Sequence, residues 1–246
     1  MNIKQLLAFC AFLSFAVLSV VGCDSEEDKP TPTTAAYAKA GSTYDFGAYD
    51  KDSNGAKLPG SDTTWRDSVV SDPDTIDLKA NAITIMRGNG DTLTMAYEAN
   101  GDVSINFPNG LNFQGLSLPD VGKGWWTIPF GSGKTNDTLF SQTTSIQVGA
   151  ITLPVKVNIV ANSLGSGTYT LNGKGYANKQ ATVTIYAVAN FGPITDKMTL
   201  KQEIHFAPEI GYFTTFDQTV TDRSKYIPMG NDGGSLQLLT SFSLKQ

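Results

Sequence analysis

Few residues have the types and spacing that chemistry needs. Asp50-Lys51-Asp52-Ser53-Asn54-Gly55 puts oxygen-bearing side chains at positions one, three and five and a glycine at six, the opening of a loop that wraps calcium. Position twelve, where a bidentate carboxylate belongs, is Ser61, with Asp62 one residue late. A polar hairpin accounts for the same residues, so calcium at Asp50, Asp52 and Asn54 is the one metal to test, and no other cofactor is expected. Gly131-Ser132-Gly133-Lys134-Thr135 ends like a phosphate-binding loop, but Ile128 stands where its first glycine belongs, which predicts an ordinary loop. His205 is the single histidine, and beside Lys201 and Glu203 on the polar side of a strand it reads as an exposed sheet residue. Without a second histidine or a free thiol, triad and zinc chemistry lack members. The 23 acidic residues leave a paired-carboxylate hydrolase as a third reading behind two binding readings. Trp125-Trp126, followed by Ile128-Pro129-Phe130, is the densest aromatic patch. Neighbouring strand residues point to opposite faces. One indole is therefore expected in the core and the other outside, where it could stack on a sugar ring or a lipid tail.

The elements that must carry these residues show period two almost throughout. Leu93, Met95 and Tyr97 alternate with Thr92, Thr94 and Ala96, and Val103, Ile105 and Phe107 alternate with Asp102, Ser104 and Asn106. Leu153 to Ile159, Val183 and Ile185, Met198 to Phe206, and finally Leu236, Leu238, Phe242 and Leu244 repeat the device. One apolar and one wet face is the pattern of antiparallel sheet. Asn54-Gly55, Asn89-Gly90, Asn100-Gly101, Asn109-Gly110 and Asn172-Gly173 punctuate the runs, and Asn-Gly suits the positive φ of tight hairpins. The expectation is an all-β fold with little helix, its antiparallel sheet or sheets closing as a half-barrel, barrel or sandwich. Pro108 to Gly124, crowded with Gly and Pro, is either a long loop or a hinge between two lobes.

The amino terminus differs from the rest. Lys4 precedes an apolar run from Leu6 to Val21 and the small Gly22, the layout of an export signal; sixteen residues fall short of the roughly 20 that a spanning helix needs. The only other cysteine, Cys10, leaves with the signal, so the mature chain has Cys23 alone and no disulfide. Without Lys4, 17 Lys and Arg face 23 Asp and Glu, a balance of −6 that repels phosphate backbones and excludes nucleic acid as a partner. The chain divides into a signal over 1–22, an acidic and Pro/Thr-rich linker over 23–40, and one all-β domain over 41–246.

Val20-Val21-Gly22-Cys23 resembles the lipobox of bacterial lipoproteins, which implies acylation of Cys23 and a membrane anchor made of acyl chains. Asp24-Ser25-Glu26-Glu27-Asp28 resembles the acidic export tag of Bacteroidetes-type surface lipoproteins. That resemblance implies the outer face of the outer membrane, with a periplasm-facing location as second choice; a solvated spacer explains the same charges. Gly41-Ser42-Thr43-Tyr44-Asp45-Phe46 and Glu203 to Tyr212 are similar to the opening strand and the late aromatic-Ala-Pro-x-Ile-Gly hairpin of exported lipoproteins without assigned activity. That group's fold would be an antiparallel half-barrel like those of lipoprotein carriers. Asp-Ser/Thr triplets at Asp62, Asp67, Asp74, Asp91 and Asp137 are similar to the O-glycosylation signal of the same exported proteins.

The expected function is therefore a non-enzymatic, membrane-anchored domain that takes an apolar or amphipathic ligand, or an envelope protein, on its concave face. Glycan capture by exposed aromatics, with Trp125 and Trp126 as the residues in question, is the alternative.

Overall fold

A computed structural model describes residues 37–109, 111–113, 116–118, 121–148, 151–191, 193–224 and 233–245. Cys23, the export signal, the acidic tag and Gly110 lie outside them. Among the described residues all regular structure is strand: β1 (Thr43–Lys51), β2 (Thr63–Val69), β3 (Asp74–Ile76), β4 (Lys79–Met86), β5 (Thr92–Tyr97), β6 (Val103–Phe107), β7 (Leu111–Phe113), β8 (Leu116–Leu118), β9 (Gly124–Ile128), β10 (Asp137–Val148), β11 (Ile151–Leu171), β12 (Lys174–Phe191), β13 (Ile194–Ala207), β14 (Tyr212–Asp222) and β15 (Gly234–Ser243).

Thirteen of these strands form one antiparallel sheet in the order β10-β11-β12-β13-β14-β15-β1-β2-β4-β5-β6-β9, with β3 paired to β4. Its two ends nearly meet, β9 coming up against β11, so the sheet is a nearly closed barrel. Closure follows from patterning. A sheet greasy on one side hides that side by curling upon itself. Ile159 pairs with Ile185, and Ile185 in turn with Leu200; the three lie side by side on the buried inner face. Cross-strand apolar pairs of this kind stabilise a sheet by about 0.2–1 kcal/mol each.

The Asn-Gly pairs behave in two ways. At Asn172-Gly173 both residues have positive φ, 51° and 80°, the two-residue turn that joins β11 to β12. At Asn54-Gly55, Asn89-Gly90 and Asn100-Gly101 only the glycine is left-handed. There the glycine N–H donates to the carbonyl three residues back, Asp52, Arg87 and Glu98 respectively. These are three-residue loops ending in a glycine bulge. β6 and β9 pair directly, Phe107 against Gly124, and among the described residues between them β7 pairs with β8.

The last strand departs from simple alternation. Phe46 pairs with Leu239 but Asp45 with Ser241, a bulge that leaves Thr240 unopposed. One extra residue moves every side chain before it to the other face. Leu239 is buried in the core, whereas Leu236 and Leu238 are half-buried and Leu244 is exposed. Of the four apolar residues expected inside, only Phe242 packs against the core. The four residues before Gly41, read from the sequence as the end of the linker, lie on the barrel: Ala38 is buried, its N–H donates to the Tyr97 hydroxyl at 3.3 Å, and the Tyr37 ring sits 5.0 Å from that of Tyr97.

Candidate functional site

Strand β2, Thr-Thr-Trp-Arg-Asp-Ser-Val, has no apolar face over its first six residues. Pairing with β1 decides which side turns in: Phe46 lies opposite Trp65 and Tyr44 opposite Asp67. Since Tyr44 and Phe46 are buried, Trp65 and Asp67 share the inner face, while Arg66 pairs with Asp45 outside at 2.6 Å. The Trp65 ring stacks on Phe46, centroids 5.5 Å apart and planes at 11°.

A charged residue turned inward needs partners, because a buried unsatisfied carboxylate costs several kcal/mol. Asp67, 2% exposed as a side chain, has them. The Tyr212 hydroxyl donates to its Oδ2 at 3.0 Å and the Gly88 N–H to its Oδ1 at 3.1 Å. Arg87 Nε stands 3.9 Å from Oδ2. Burial first, and then the negative charge of Asp67, raise the Tyr212 phenol well above its ordinary value. Tyr44 stacks on Tyr212 at 4.3 Å and donates to the Ile210 carbonyl at 3.2 Å; burial pushes its phenol up as well.

Beside this polar core, at the end of the barrel where β4 turns into β5, lies a cavity of about 440 Å³ lined by Thr63, Thr64, Trp65, Arg87, Gly88, Asn89 and Gln237. Gly88 is what lets the β4–β5 turn lie against the indole: a Cβ there would fall 2.5 Å from Trp65 Cβ. Asn89 and Asp91 brace the turn, the Asn89 amide donating to Asp91 Oδ2 at 2.6 Å and the Asp91 N–H to Asn89 Oδ1 at 3.1 Å. The lining combines one indole, one guanidinium, two carboxamides and two hydroxyl residues. It contains no Asp or Glu. Such a surface can stack on a flat ring and hydrogen-bond its substituents.

The residues singled out in the sequence lie elsewhere. Trp126 is in the core, its ring 4.4 Å from Phe107. Trp125 is half-buried on the other face, opposite Asn106, and its indole N–H is buried with no hydrogen-bond partner among the described residues. Asp50, Asp52 and Asn54 lie at the β1–β2 hairpin. Asp52 Oδ1 accepts the N–H groups of Asn54 and Ala56 at 2.8 Å each. Among the described residues no three Asp, Glu, His or Cys side chains are grouped to hold a metal. The Gly131 to Thr135 segment is a loop, as expected, and its Gly131 and Ser132 N–H groups donate to the buried Asp102 carboxylate at 2.8 Å; a phosphate would find them occupied. His205 is more covered than expected of an exposed sheet residue, 18% exposed as a side chain, with Nε2 2.8 Å from Glu203 Oε1 and Nδ1 3.4 Å from the buried Asn178 amide. Thr63, Thr75, Thr92 and Thr138 of the Asp-Ser/Thr triplets are exposed, while Ser68 is half-buried.

Trp65 was hidden from sequence reasoning by its surroundings, since no aromatic cluster marks it. The available clue is that a seven-residue strand ending in Val69 carries polar residues on both faces around one tryptophan; a strand with no greasy side whose tryptophan nonetheless turns inward belongs at a rim rather than over the core.

No family profile matches the chain, and no curated protein matches it either. Two solved structures are similar over most of its length. One is of a candidate lipoprotein from Parabacteroides distasonis, with a TM-score of 0.46 at 10% sequence identity, over 84% of this chain and 96% of that one. The other is of a candidate exported protein with a YmcC-like fold from Bacteroides fragilis, with a TM-score of 0.41 at 8% identity, over 84% of this chain and 97% of that one.

Proposed function

We propose that this is an exported, lipid-anchored binding protein that takes a carbohydrate ring in the Trp65 cavity and performs no chemistry on it. The single observation that carries the reading is the cavity lining, in which Trp65 stands among Thr63, Thr64, Asn89 and Gln237 around about 440 Å³, a volume in the range of small-ligand sites. Sugars present apolar C–H faces for an indole and hydroxyls for carboxamides. The anchor rests on Val20-Val21-Gly22-Cys23 and the acidic run after it, with Cys23 acylated and the domain held at the outer membrane, facing the cell exterior. An apolar or amphipathic ligand on the concave face has less support, because the inner side of the sheet is occupied by the chain's own packed residues, Tyr44, Phe46, Ile159, Phe206 and Phe213 among them.

A second reading, contact with an envelope protein, is favoured by Val70 and Met86. Both are about half exposed, and they lie near one another where β2 pairs with β4.

The test is glycan binding by the mature chain, by array and then by calorimetry, with Trp65→Ala as the control. Binding to one glycan class that Trp65→Ala abolishes while Trp125→Ala does not is the expected result. Absence of any glycan binding would overturn the reading. Mass spectrometry of the amino-terminal peptide from native membranes checks the acyl chains on Cys23.

A further inference from the structure

Resting on the carbohydrate reading, we propose that the ligand is acidic: the cavity binds a sugar that bears a carboxylate, such as a hexuronic acid, and Arg87 holds that carboxylate. Arg87 is the one cation among the lining residues, and its side chain is 35% exposed. Its Nε side is turned to Asp67 at 3.9 Å, outside hydrogen-bond distance. Asp67 has its own donors in Tyr212 and Gly88, so it does not depend on the guanidinium. The terminal nitrogens of Arg87 donate to no side chain among the described residues. A guanidinium is planar and offers paired N–H groups in a fixed fork that matches a carboxylate.

The arrangement orders the cation before any ligand arrives. Asp67 is buried at the Nε side and attracts the guanidinium without consuming its outer pair of donors. The Arg87 main chain is fixed by the turn, its N–H donating to the Asp91 carbonyl at 2.8 Å and its carbonyl accepting from Gly90 at 2.9 Å. A side chain whose main chain is fixed and whose guanidinium is drawn toward a buried charge loses less freedom on binding. No carboxylate lines the cavity itself; the nearby ones are Asp67 behind the arginine and Asp91, whose carboxylate is engaged by the Asn89 amide at 2.6 Å. Trp65 then takes the ring, while Gln237, Thr63 and Thr64 of the same lining offer polar atoms to its hydroxyls. Asp67 acts as a positioning residue, through Arg87.

The experiment titrates the mature chain with trigalacturonate and with its methyl ester, which keeps the rings and removes the charges. A charge-assisted bidentate contact should make the acid bind roughly tenfold to a hundredfold more tightly than the ester at 0.1 M salt, with the difference shrinking at 1 M. Arg87→Gln should bring the acid and ester affinities together, with melting temperature and circular dichroism checking that the barrel is intact. Arg87→Lys, which keeps the charge and loses the fork, should retain part of it. Asp67→Asn should narrow the ratio of acid to ester affinity, the stability of the variant being measured alongside. Equal, Trp65-dependent affinity for acid and ester, or a preference that survives Arg87→Gln, would overturn the acidic ligand and leave the carbohydrate reading standing. Failure of both probes to bind would remove this inference, and failure of all glycans on the array would remove the reading beneath it.

Discussion

The Tyr212 hydroxyl donates to the Asp67 carboxylate at 3.0 Å inside the barrel, joining β14 to β2 across 145 positions of sequence. Both side chains are buried. The pair links the terminal half of the sheet to the strand that carries Trp65, so the geometry of the cavity depends on a contact that neither strand makes alone.

Removing that donor leaves a buried charge with only the Gly88 N–H as a hydrogen-bond donor. Tyr212→Phe is expected to destabilise the fold by about 1–3 kcal/mol, measured as a lower urea midpoint with unchanged slope. Asp67→Asn introduced into Tyr212→Phe should cost less than Asp67→Asn in the parent, so that the double variant loses less than the sum of the two, because the substitutions remove the same interaction. Strict additivity in that cycle would show that the hydrogen bond contributes nothing.

Gly88→Ala tests the packing of the turn on the indole. Gly88 has an ordinary backbone conformation, so the obstacle is the Trp65 side chain, with Cβ at 2.5 Å and Cγ and Cδ1 at 3.0 Å. Displacing the turn or the ring should cost about 1–3 kcal/mol and change the tryptophan emission. The same variant should bind glycan more weakly, since both neighbours line the cavity. An unchanged melting temperature and emission spectrum would contradict the close approach.

Stability should fall at both ends of the pH scale, for opposite reasons. The Arg66 and then the Ser241 hydrogen bonds hold the Asp45 carboxyl below its ordinary value. For Glu98, burial works the other way but is outweighed by the hydrogen bonds from Lys79 and Ser104, and its value is also lowered. Depressed carboxylates stabilise the fold above their unfolded values near 4, and that contribution is lost as pH falls through the folded values. Exposure of the Asp45 pair keeps its share small. Tyr44, Tyr97 and Tyr212 are raised, mainly by burial. Their contribution is complete below about pH 10 and declines as pH rises above it toward the folded values. Urea titrations between pH 3 and 11 should trace a plateau with these two falls, and the ultraviolet phenolate signal of the three tyrosines should appear only with unfolding.

At the β1–β2 hairpin, Asp52 Oδ1 already accepts two backbone N–H groups. Millimolar calcium is therefore expected to leave the melting temperature unchanged, and Asp52→Ala to cost about 1 kcal/mol through the lost turn contacts. A calcium-induced rise in melting temperature that Asp52→Ala abolishes would instead support the metal reading of Asp50, Asp52 and Asn54.

Strand content, the antiparallel arrangement and the hairpin turns were determined by the chain locally. Alternation at Val155, Val157 and Ile159 or at Met198 and Leu200 requires an extended backbone with one buried side, and Asn172-Gly173 can reverse direction within two residues. The same locality hides what the tertiary structure alone decided. Alternation states that a strand has two faces without naming its neighbour, so closure of the sheet between β9 and β11 and the bulge at Thr240, which trades Leu236 and Leu238 for Leu239, depend on partners far away in sequence. The site is an extreme of this. Asp67 reads as a wet residue of a polar strand, and it turns inward because Tyr212 and Gly88 arrive from β14 and the β4–β5 turn to satisfy it. Trp65 then lines a cavity, while Trp126 of the conspicuous Trp125-Trp126 pair fills the core. Burying a polar group is favourable only when its donors are delivered, and their delivery is a property of the closed barrel.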